Sequence, residues 1–413
     1  MIMKVLHITT SDFGGAGLCV LRIHKSLLEF GVDSKVLVAQ KSSDLPTVVV
    51  AEISGLNTYV PPKNKVARKF EKIMRRRGYF LTQLEKYQRS VAFLENVIYT
   101  FPLSKYDLSC HPLVADADII HLHWVADYLD YPTFFRNVGK PVVWTFHDEN
   151  IAFGGFHYRK ERDKYYDLCR DTEDDLVRIK REALSNAQGS ITIVALSKMM
   201  KSLCNNDPAL RSYPIEIIHN SVDYKRFVPI NNDIAKQVFG IPENHTVFGF
   251  CSVDVAEERK GLKELVQTLE RVNDFRKVTL ICAGSGEIPV QTDLEIVRTG
   301  PIVNERIMSL FYSAANYFVM PSFQEAFAQT PLEAMSCGVP VIAFPCSGTE
   351  ELINEKNGVR CDGFTVDSLY DGILCAMGRE YDAELIRQDM IDRFSPEKIA
   401  MQYIKVYNGI TEA

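Results

Sequence analysis

The stretch of this chain best equipped for chemistry runs from Pro321 to Pro340 and carries Glu325 and Glu333. It follows an apolar, strand-like run and leads into a predicted helix. Backbone N–H groups at a helix start lack partners within the helix and, together with the helix dipole, can hold a diphosphate. A carboxylate accepts two hydroxyl donors, which suits a vicinal diol such as that of a sugar or a ribose. The backbone groups predicted to hold the diphosphate belong to Phe327, Ala328, Gln329 and Thr330.

A basic pair, Arg259 and Lys260, precedes Gly261 after another strand-like run. Arginine offers a bidentate fork and lysine a mobile point charge, so this pair can neutralise a departing diphosphate. The alternative for such a pair is a solvated helix start. Gly284, in the sequence Gly-Ser-Gly after a further strand, would let a ligand approach the backbone closely.

The first half of the chain contributes His147 and Asp148 at a predicted strand end. A neutral imidazole both donates and accepts hydrogen bonds, so His147 is the best candidate for orienting a sugar or an acceptor hydroxyl. The alternative interpretation is that His147 has only a structural role, as a packed and hydrogen-bonded side chain. His121 and His123 alternate on one strand face; they could bind a metal, but packing or cleft lining is favoured.

A glycine-rich turn at Gly14 and Gly15 follows the first predicted strand. It lacks the full G-x-G-x-x-G spacing, and no clear acidic residue ends a second strand. Binding of a nicotinamide dinucleotide is therefore not supported.

The elements that must position these residues are short apolar runs that alternate with helical segments. The pattern predicts an α/β fold with two Rossmann-like, doubly wound domains facing across a cleft at the carboxyl ends of their strands. The predicted divisions are an N-terminal domain (1–222) that contains a basic helical insertion near 63–100, a C-terminal domain (223–394), and a C-terminal helix (395–413) packing back on the first domain.

The second half resembles glycosyltransferase family 4, a retaining family with the GT-B fold. Two glutamates separated by seven residues are its hallmark, matched by Glu325 and Glu333, and the match continues through Cys337 to Ile342 and Gly348 to Glu351. The resemblance implies that Glu325 binds donor sugar hydroxyls, that Glu333 binds the ribose, and that Lys260 is the phosphate-binding lysine. Many members carry an arginine just upstream of that lysine, where this chain has Val253 and Asp254.

Because that arginine is absent, its role is assigned here to Arg259. The turn at Gly14 and Gly15 resembles the family's N-terminal glycine loop, which lies over the donor phosphates or the acceptor. The segments around His147 and Gly154 to Tyr158 resemble members that build bacterial exopolysaccharides. These likenesses imply transfer of a sugar from a UDP- or GDP-sugar, bound by the C-terminal domain, to a saccharide or a lipid-linked saccharide, bound by the N-terminal domain.

Composition and short motifs restrict the partners, the compartment and the cofactors that can be expected. A net charge of −6 gives no basic field for nucleic acid, and ten scattered cysteines without a C-x-x-C pair suggest reduced thiols in a cytoplasmic protein. No Asp-x-Asp motif follows a strand, so no metal and no cofactor are expected.

The rival functions are a non-hydrolysing sugar-nucleotide 2-epimerase and a non-catalytic protein that binds nucleotide sugars.

Residues 63–79 hold eight basic side chains against one acidic one, with apolar residues interleaved. A basic amphipathic helix of this kind can lie on the anionic inner face of the cytoplasmic membrane. A solvated helical insertion explains the pattern equally well, because the apolar stripe is short.

Overall fold

The structure is a computed structural model that describes residues 2–412, and the chain divides into two compact units. Unit 1 comprises residues 2–195, 200–217 and 404–412, and unit 2 comprises 196–199 and 218–403. Each unit contains one parallel sheet with helices in its crossovers, which confirms the predicted fold class. The predicted boundary followed residue 222, whereas residues 218–222 already belong to unit 2.

Unit 1 is built on a seven-stranded parallel sheet in the order β3-β2-β1-β4-β5-β6-β7. Its strands are β1 (Lys4–Ser11), β2 (Asp33–Gln40), β3 (Val48–Val50), β4 (Ile119–Leu122), β5 (Val142–Phe146), β6 (Ile191–Ala195) and β7 (Ile215–Ile217). The helices up to residue 217 are α1 (Gly14–Glu29), α2 (Lys65–Arg76), α3 (Gln83–Ser90), α4 (Pro112–Asp116), α5 (Tyr131–Asn137), α6 (Arg159–Ser185) and α7 (Lys198–Asn206). The central strands β4, β5 and β6 are buried throughout, as strands covered on both faces must be.

Unit 2 is built on a six-stranded parallel sheet in the order β10-β9-β8-β11-β12-β13. Its strands are β8 (Thr246–Asp254), β9 (Val278–Ser285), β10 (Glu295–Gly300), β11 (Tyr317–Met320), β12 (Val341–Ala343) and β13 (Gly358–Arg360). The remaining helices are α8 (Asn232–Val238), α9 (Leu262–Asn273), α10 (Glu305–Ala314), α11 (Gln329–Ser336), α12 (Thr349–Leu352), α13 (Val366–Met377), α14 (Ala383–Phe394) and α15 (Pro396–Thr411). The strand order reverses between β8 and β11, the point in such sheets where ligands bind.

Two local predictions need correction. Gly14 and Gly15, predicted as a turn, instead form the first turn of α1, which begins at Gly14. Arg259 and Lys260 do not open α9 but lie in a separate 3₁₀ turn, Glu258–Lys260, that ends at Gly261. In both places a glycine with positive φ bends the chain at the boundary, which hydrophobic periodicity does not reveal.

Three histidines form a buried cluster at the centre of the unit 1 sheet. His7 on β1 lies directly opposite His121 on β4, and His123 follows one residue after β4. His121 has both ring nitrogens on hydroxyl groups, with Nδ1 2.7 Å from Tyr407 Oη and Nε2 2.8 Å from Thr145 Oγ1. These hydrogen bonds support the predicted packing role of His121. Tyr407 lies near the end of α15, and that end belongs to unit 1.

This cluster should make unit 1 sensitive to acid. Burial lowers the pKa of His7, His121 and His123 well below the usual 6.5, so below that pH the unfolded chain binds protons that the folded chain refuses. The free energy of unfolding should fall with decreasing pH by about 1.4 kcal/mol per pH unit for each histidine.

Urea unfolding between about pH 6.5 and pH 5 measures this dependence. Fluorescence reports unit 1 alone, because the chain's two tryptophans, Trp124 and Trp144, both lie there. In His121→Gln the change in the free energy of unfolding per pH unit should be smaller by about 1.4 kcal/mol, the contribution of one histidine. An unchanged pH dependence in the variant would refute the explanation.

Candidate functional site

The site in unit 2 is assembled where the chain leaves the neighbouring strands β8 and β11. Gly261, with φ +73°, ends the turn after β8, and a Cβ built on it would lie 2.0 Å from the carbonyl oxygen of Pro321. The N–H of Phe323 donates to the carbonyl of Arg259 at 2.9 Å. This close backbone approach fixes the turn that carries Lys260 against the loop that carries Glu325.

The charges of the turn and the loop meet directly. Lys260 Nζ lies 2.6 Å from Glu325 Oε1, and Arg259 Nη1 lies 3.4 Å from the same oxygen. Arg259 also donates to the Gln324 carbonyl at 2.6 Å and pairs with Glu257 at 2.6 Å. The Arg259 side chain is only 7% exposed and that of Lys260 21%, so lysine is the more accessible cation and arginine cross-links the loop.

The Glu325 carboxylate is held in its charged form. Its burial would raise the pKa, but the charges of Lys260 and Arg259 and a hydrogen bond from Ser322 outweigh that effect and lower it. Glu325 is therefore an ionised acceptor at neutral pH and suits hydroxyl donors.

The second glutamate lies on α11, eight positions further along the chain. Glu333 is buried, and its Oε2 accepts a hydrogen bond from the Tyr312 hydroxyl at 2.9 Å. Burial and the Glu333 charge raise the pKa of Tyr312, which keeps that hydroxyl a donor. Tyr312 thereby holds the carboxylate in place, a partnership that the sequence did not indicate.

The segment between the two glutamates is firmly positioned. The ring of Phe327 stacks on His219 with centroids 4.7 Å apart, and Asn220 donates to the Phe327 carbonyl at 2.9 Å. Ala328 is the N-cap residue of α11 and has no side-chain group that could cap the helix. The first turn, at Gln329 and Thr330, thus keeps the anion-binding character of a helix start.

Gly284 allows two strand ends of the unit 2 sheet to approach each other closely. With φ +141°, a Cβ at this position would lie 2.0 Å from the carbonyl oxygen of Ser252 at the end of β8. The glycine is thus required where the ends of β8 and β9 approach each other. Close packing of the backbone thus requires a glycine here, in addition to the predicted close approach of a ligand.

In unit 1 the exposed glycines Gly14 and Gly15 form the first turn of α1. The preceding Asp12 is buried and accepts hydrogen bonds from the N–H groups of Ser42 and Ser43 at 2.7 and 2.9 Å. Asp12 therefore anchors this turn to the loop after β2.

His147 and Asp148 follow β5 and have different environments. Asp148 Oδ2 accepts from Trp124 Nε1 at 2.8 Å and pairs with His157 Nδ1 at 2.5 Å, while Oδ1 accepts from the Asn150 N–H at 2.9 Å. Asp148 thus organises the following loop. Burial lowers the pKa of His147 to about 4 despite the opposing charge of Asp148, so its imidazole is neutral at pH 7.

Two buried charges on α6 hold that loop and were missed from the sequence. The two carboxylate oxygens of Glu173 accept from the N–H groups of Gly154 and Gly155 at 2.7 and 2.8 Å. Lys180 Nζ donates to the carbonyls of Asn150 and Phe153 at 2.6 and 2.8 Å. The available signal was their helical spacing around Leu176, which places all three residues on one buried face.

The predicted site residues therefore fall into two groups. Unit 2 brings Arg259, Lys260 and Glu325 into contact, and also holds Gly284, the 327–330 segment and Glu333. Unit 1 holds Gly14, Gly15, His147 and Asp148. Two Rossmann-like units, each built on one parallel sheet, are the architecture of the GT-B glycosyltransferases.

Comparison with known proteins agrees with this class. Residues 245–378 match the family Glycosyl transferases group 1. The D-inositol 3-phosphate glycosyltransferase of Mycolicibacterium smegmatis is 25% identical over 390 residues, 90% of this chain and 80% of that protein. The O-antigen biosynthesis glycosyltransferase WclY of Escherichia coli is 28% identical over 206 residues, 47% of this chain and 55% of that one.

A similar fold is found in the crystal structure of Anabaena Alr3699/HepE in complex with UDP and glucose. The match has a TM-score of 0.63 at 17% identity and covers 98% of this chain and all of that one. The chain therefore carries a glycosyl transferases group 1 domain and is a glycosyltransferase of the GT-B type.

The contact between Gly261 and Pro321 yields a prediction with a matched control. Gly240 has nearly the same φ, +69°, but a Cβ there meets nothing within 4 Å. Gly240→Ala should cost about 1 kcal/mol, the strain of a left-handed residue, whereas Gly261→Ala adds a clash with backbone.

Hydrogen exchange provides a local measurement. In Gly261→Ala the Phe323 N–H should exchange faster, because its bond to the Arg259 carbonyl is disrupted; in Gly240→Ala it should not change. Equal protection of Phe323 in both variants would show that this contact does not hold the loop.

Proposed function

We propose that this protein is a retaining, family 4 glycosyltransferase. It moves a sugar from a UDP- or GDP-sugar to a hydroxyl of a saccharide or lipid-linked saccharide during polysaccharide biosynthesis in the cytoplasm. The observation that carries the proposal is the ionised Glu325 paired with Lys260 beside the start of α11. Support for the polysaccharide context comes from the similarity to WclY, and the free cysteines agree with a reducing compartment.

Donor binding is assigned to unit 2. The start of α11 at residues 327–330 would hold the diphosphate, Glu333 the ribose hydroxyls and Glu325 the hydroxyls of the sugar. Glu333 is suited to the ribose because Tyr312 fixes its carboxylate without neutralising it.

The charge that develops on the departing nucleotide would be stabilised by Lys260, with Arg259 holding Glu325 and the loop in position. Moving Lys260 from Glu325 to a β-phosphate requires little change, because its side chain is flexible and partly exposed. These cations and the helix start would take the place of a divalent metal, so activity should survive EDTA.

For the stereochemistry we propose front-face displacement, in which the acceptor attacks from the side that the diphosphate leaves and a phosphate oxygen accepts the proton. His147 would orient the acceptor hydroxyl or the donor sugar, because its low pKa makes it a weak base. Gly14, Gly15 and Asp148 would shape the acceptor-binding region.

An epimerase remains the enzymatic alternative, since it shares the two-domain architecture. Epimerisation needs acid and base groups that remove a sugar proton, whereas the best-placed groups, Glu325 and Lys260, are paired with each other. Incubating the protein with a nucleotide sugar and no acceptor distinguishes the two, because only an epimerase would form the epimeric nucleotide sugar, up to its equilibrium ratio with the donor.

The decisive variant is Lys260→Ala. A thermal-shift screen with UDP-, GDP- and ADP-sugars first identifies the donor, because a ligand that binds only the folded state raises apparent stability. Lys260→Ala should then lower kcat about a hundredfold with a smaller change in donor KM, since the lysine acts most on the developing charge.

The matched control is Lys263→Ala, which removes the same charge from an exposed position on α9. It should leave kcat unchanged. If Lys260→Ala keeps normal kcat while Arg259→Ala loses it, the principal phosphate cation has been misassigned. If no nucleotide sugar stabilises the protein, a catalytic role for this site is refuted.

We also propose that α2 binds an anionic membrane, which would bring the protein to a lipid-linked acceptor. None of the α2 residues is buried, and Val66, Phe70 and Ile73, which share one helical face, are 78%, 57% and 49% exposed. Among residues 2–412, no helix has the length and apolar character needed to cross a bilayer. Insertion of this face beneath flanking lysines and arginines would give peripheral attachment.

Vesicle co-sedimentation tests this surface. Binding should require phosphatidylglycerol, weaken with salt, and fall at least tenfold in the double variant Phe70→Ser/Ile73→Ser. Phe275→Ser, at an equally exposed position in unit 2, is the control and should bind normally. Equal binding to neutral and anionic vesicles would contradict the proposal.

A further inference from the structure

A chain of three hydrogen-bonded imidazoles leads from the interior of unit 1 to His147. His7 Nδ1 lies 3.0 Å from His123 Nε2, and His123 Nδ1 lies 3.2 Å from His147 Nε2. His7 and His123 are almost completely buried, whereas His147 is partly exposed and borders a cavity of about 30 Å³. A cavity of that size accommodates a water molecule or a hydroxyl group.

Each ring in this chain carries one proton, because burial in the sheet disfavours the charged form. A neutral imidazole has one donor and one acceptor nitrogen. His123 uses both of its nitrogens on other histidines, so it accepts from one neighbour and donates to the other. The two hydrogen bonds must therefore point in the same direction along the chain.

The buried end of the chain selects that direction. His7 Nε2 is buried and has no hydrogen-bond partner. If the bonds pointed inward, this nitrogen would carry an unpaired N–H group in the core; if they point outward, it carries only a lone pair. Orphaned N–H donors are the rarer of the two in protein interiors, which favours the outward direction.

We infer that His7 and His123 are positioning residues that fix His147 as the neutral tautomer with its proton on Nδ1. In this arrangement His7 donates to His123, and His123 donates to His147 Nε2. The hydrogen bonds of His121 to Tyr407 and Thr145 do not oppose this direction, since a hydroxyl group can donate or accept. The tautomer stands without any assumption about function, whereas its use on a substrate depends on the proposed function.

The arrangement defines what His147 offers to a substrate. Its Nδ1–H is a hydrogen-bond donor, and its only basic nitrogen is already occupied by His123. A proton accepted by the chain would have no exit, because the chain ends at buried His7. His147 therefore acts as a fixed donor to a sugar or acceptor oxygen and does not remove a proton.

Nitrogen-15 NMR of histidine-labelled protein tests the inference without any assay of activity. Long-range proton–nitrogen spectra distinguish Nδ1–H, Nε2–H and doubly protonated rings, and the spectrum of His147→Gln assigns the His147 signals. The expected result at pH 7 is a single neutral Nδ1–H form of His147. An Nε2–H form, a mixture, or a stoichiometric metal bound to His7 and His123 would overturn it.

Two substitutions at His7 test the positioning role. Asparagine can place an N–H close to the position of Nδ1, so His7→Asn should keep the tautomer of His147, whereas His7→Phe, which lacks the donor, should give a mixture. With the donor identified above, His7→Phe should also lower kcat several-fold at unchanged donor KM. If His7→Phe folds and leaves the tautomer unchanged, His7 has no positioning role; if it does not fold, the wild-type and His7→Asn spectra decide.

Discussion

The candidate site of unit 2 depends on one backbone contact, the approach of Gly261 to the carbonyl of Pro321. It joins the chain ends of β8 and β11, the two strands between which the sheet order reverses. Any side chain at residue 261 would force the turn and the loop apart. Without this contact Lys260 and Glu325, which are 65 residues apart in sequence, would not share an ion pair.

Charge around that contact is arranged so that each group has a separate task. Arg259 is buried, and its guanidinium group donates hydrogen bonds to Glu257 and to the Gln324 carbonyl. It therefore holds the loop that carries Glu325, and its charge helps to keep that carboxylate ionised. The Lys260 side chain is more exposed and is held by fewer contacts, so it is the more mobile of the two cations. A buried arginine beside an accessible lysine thus gives a rigid carboxylate and a mobile cation from adjacent positions.

Unit 1 uses polar groups in its interior in a different way. His7, His121 and His123 are hydrogen-bonded to other histidines or to hydroxyl groups, and the buried side chains of Glu173 and Lys180 bind backbone groups of one loop. Buried polar networks are costly unless their members are paired, and here almost every one is. Within the imidazole chain, His7 Nε2 has no partner, and this nitrogen gives the chain its direction.

Much of this organisation could be predicted from the sequence, because buried parallel strands and amphipathic helices leave clear periodic patterns. Glu325 and Lys260 were selected as candidate site residues by their spacing and residue type. The edge strands β3, β7, β10 and β13 were missed because short or half-exposed strands lack a long apolar run. The partnerships of Tyr312 with Glu333 and of Glu173 with Gly154 join residues distant in sequence, and no local pattern encodes them.

The central claim, that unit 2 holds a nucleoside diphosphate with Glu333 on its ribose, is tested most directly by a thermodynamic cycle. Isothermal titration compares UDP or GDP with the matching 2′,3′-dideoxy nucleotide, for the wild type and for Glu333→Gln. In the wild type, loss of the ribose hydroxyls should weaken binding about tenfold or more, the value of a hydrogen bond to a charged group. In Glu333→Gln the two nucleotides should bind almost equally. The same loss in both proteins would show that Glu333 does not bind the ribose.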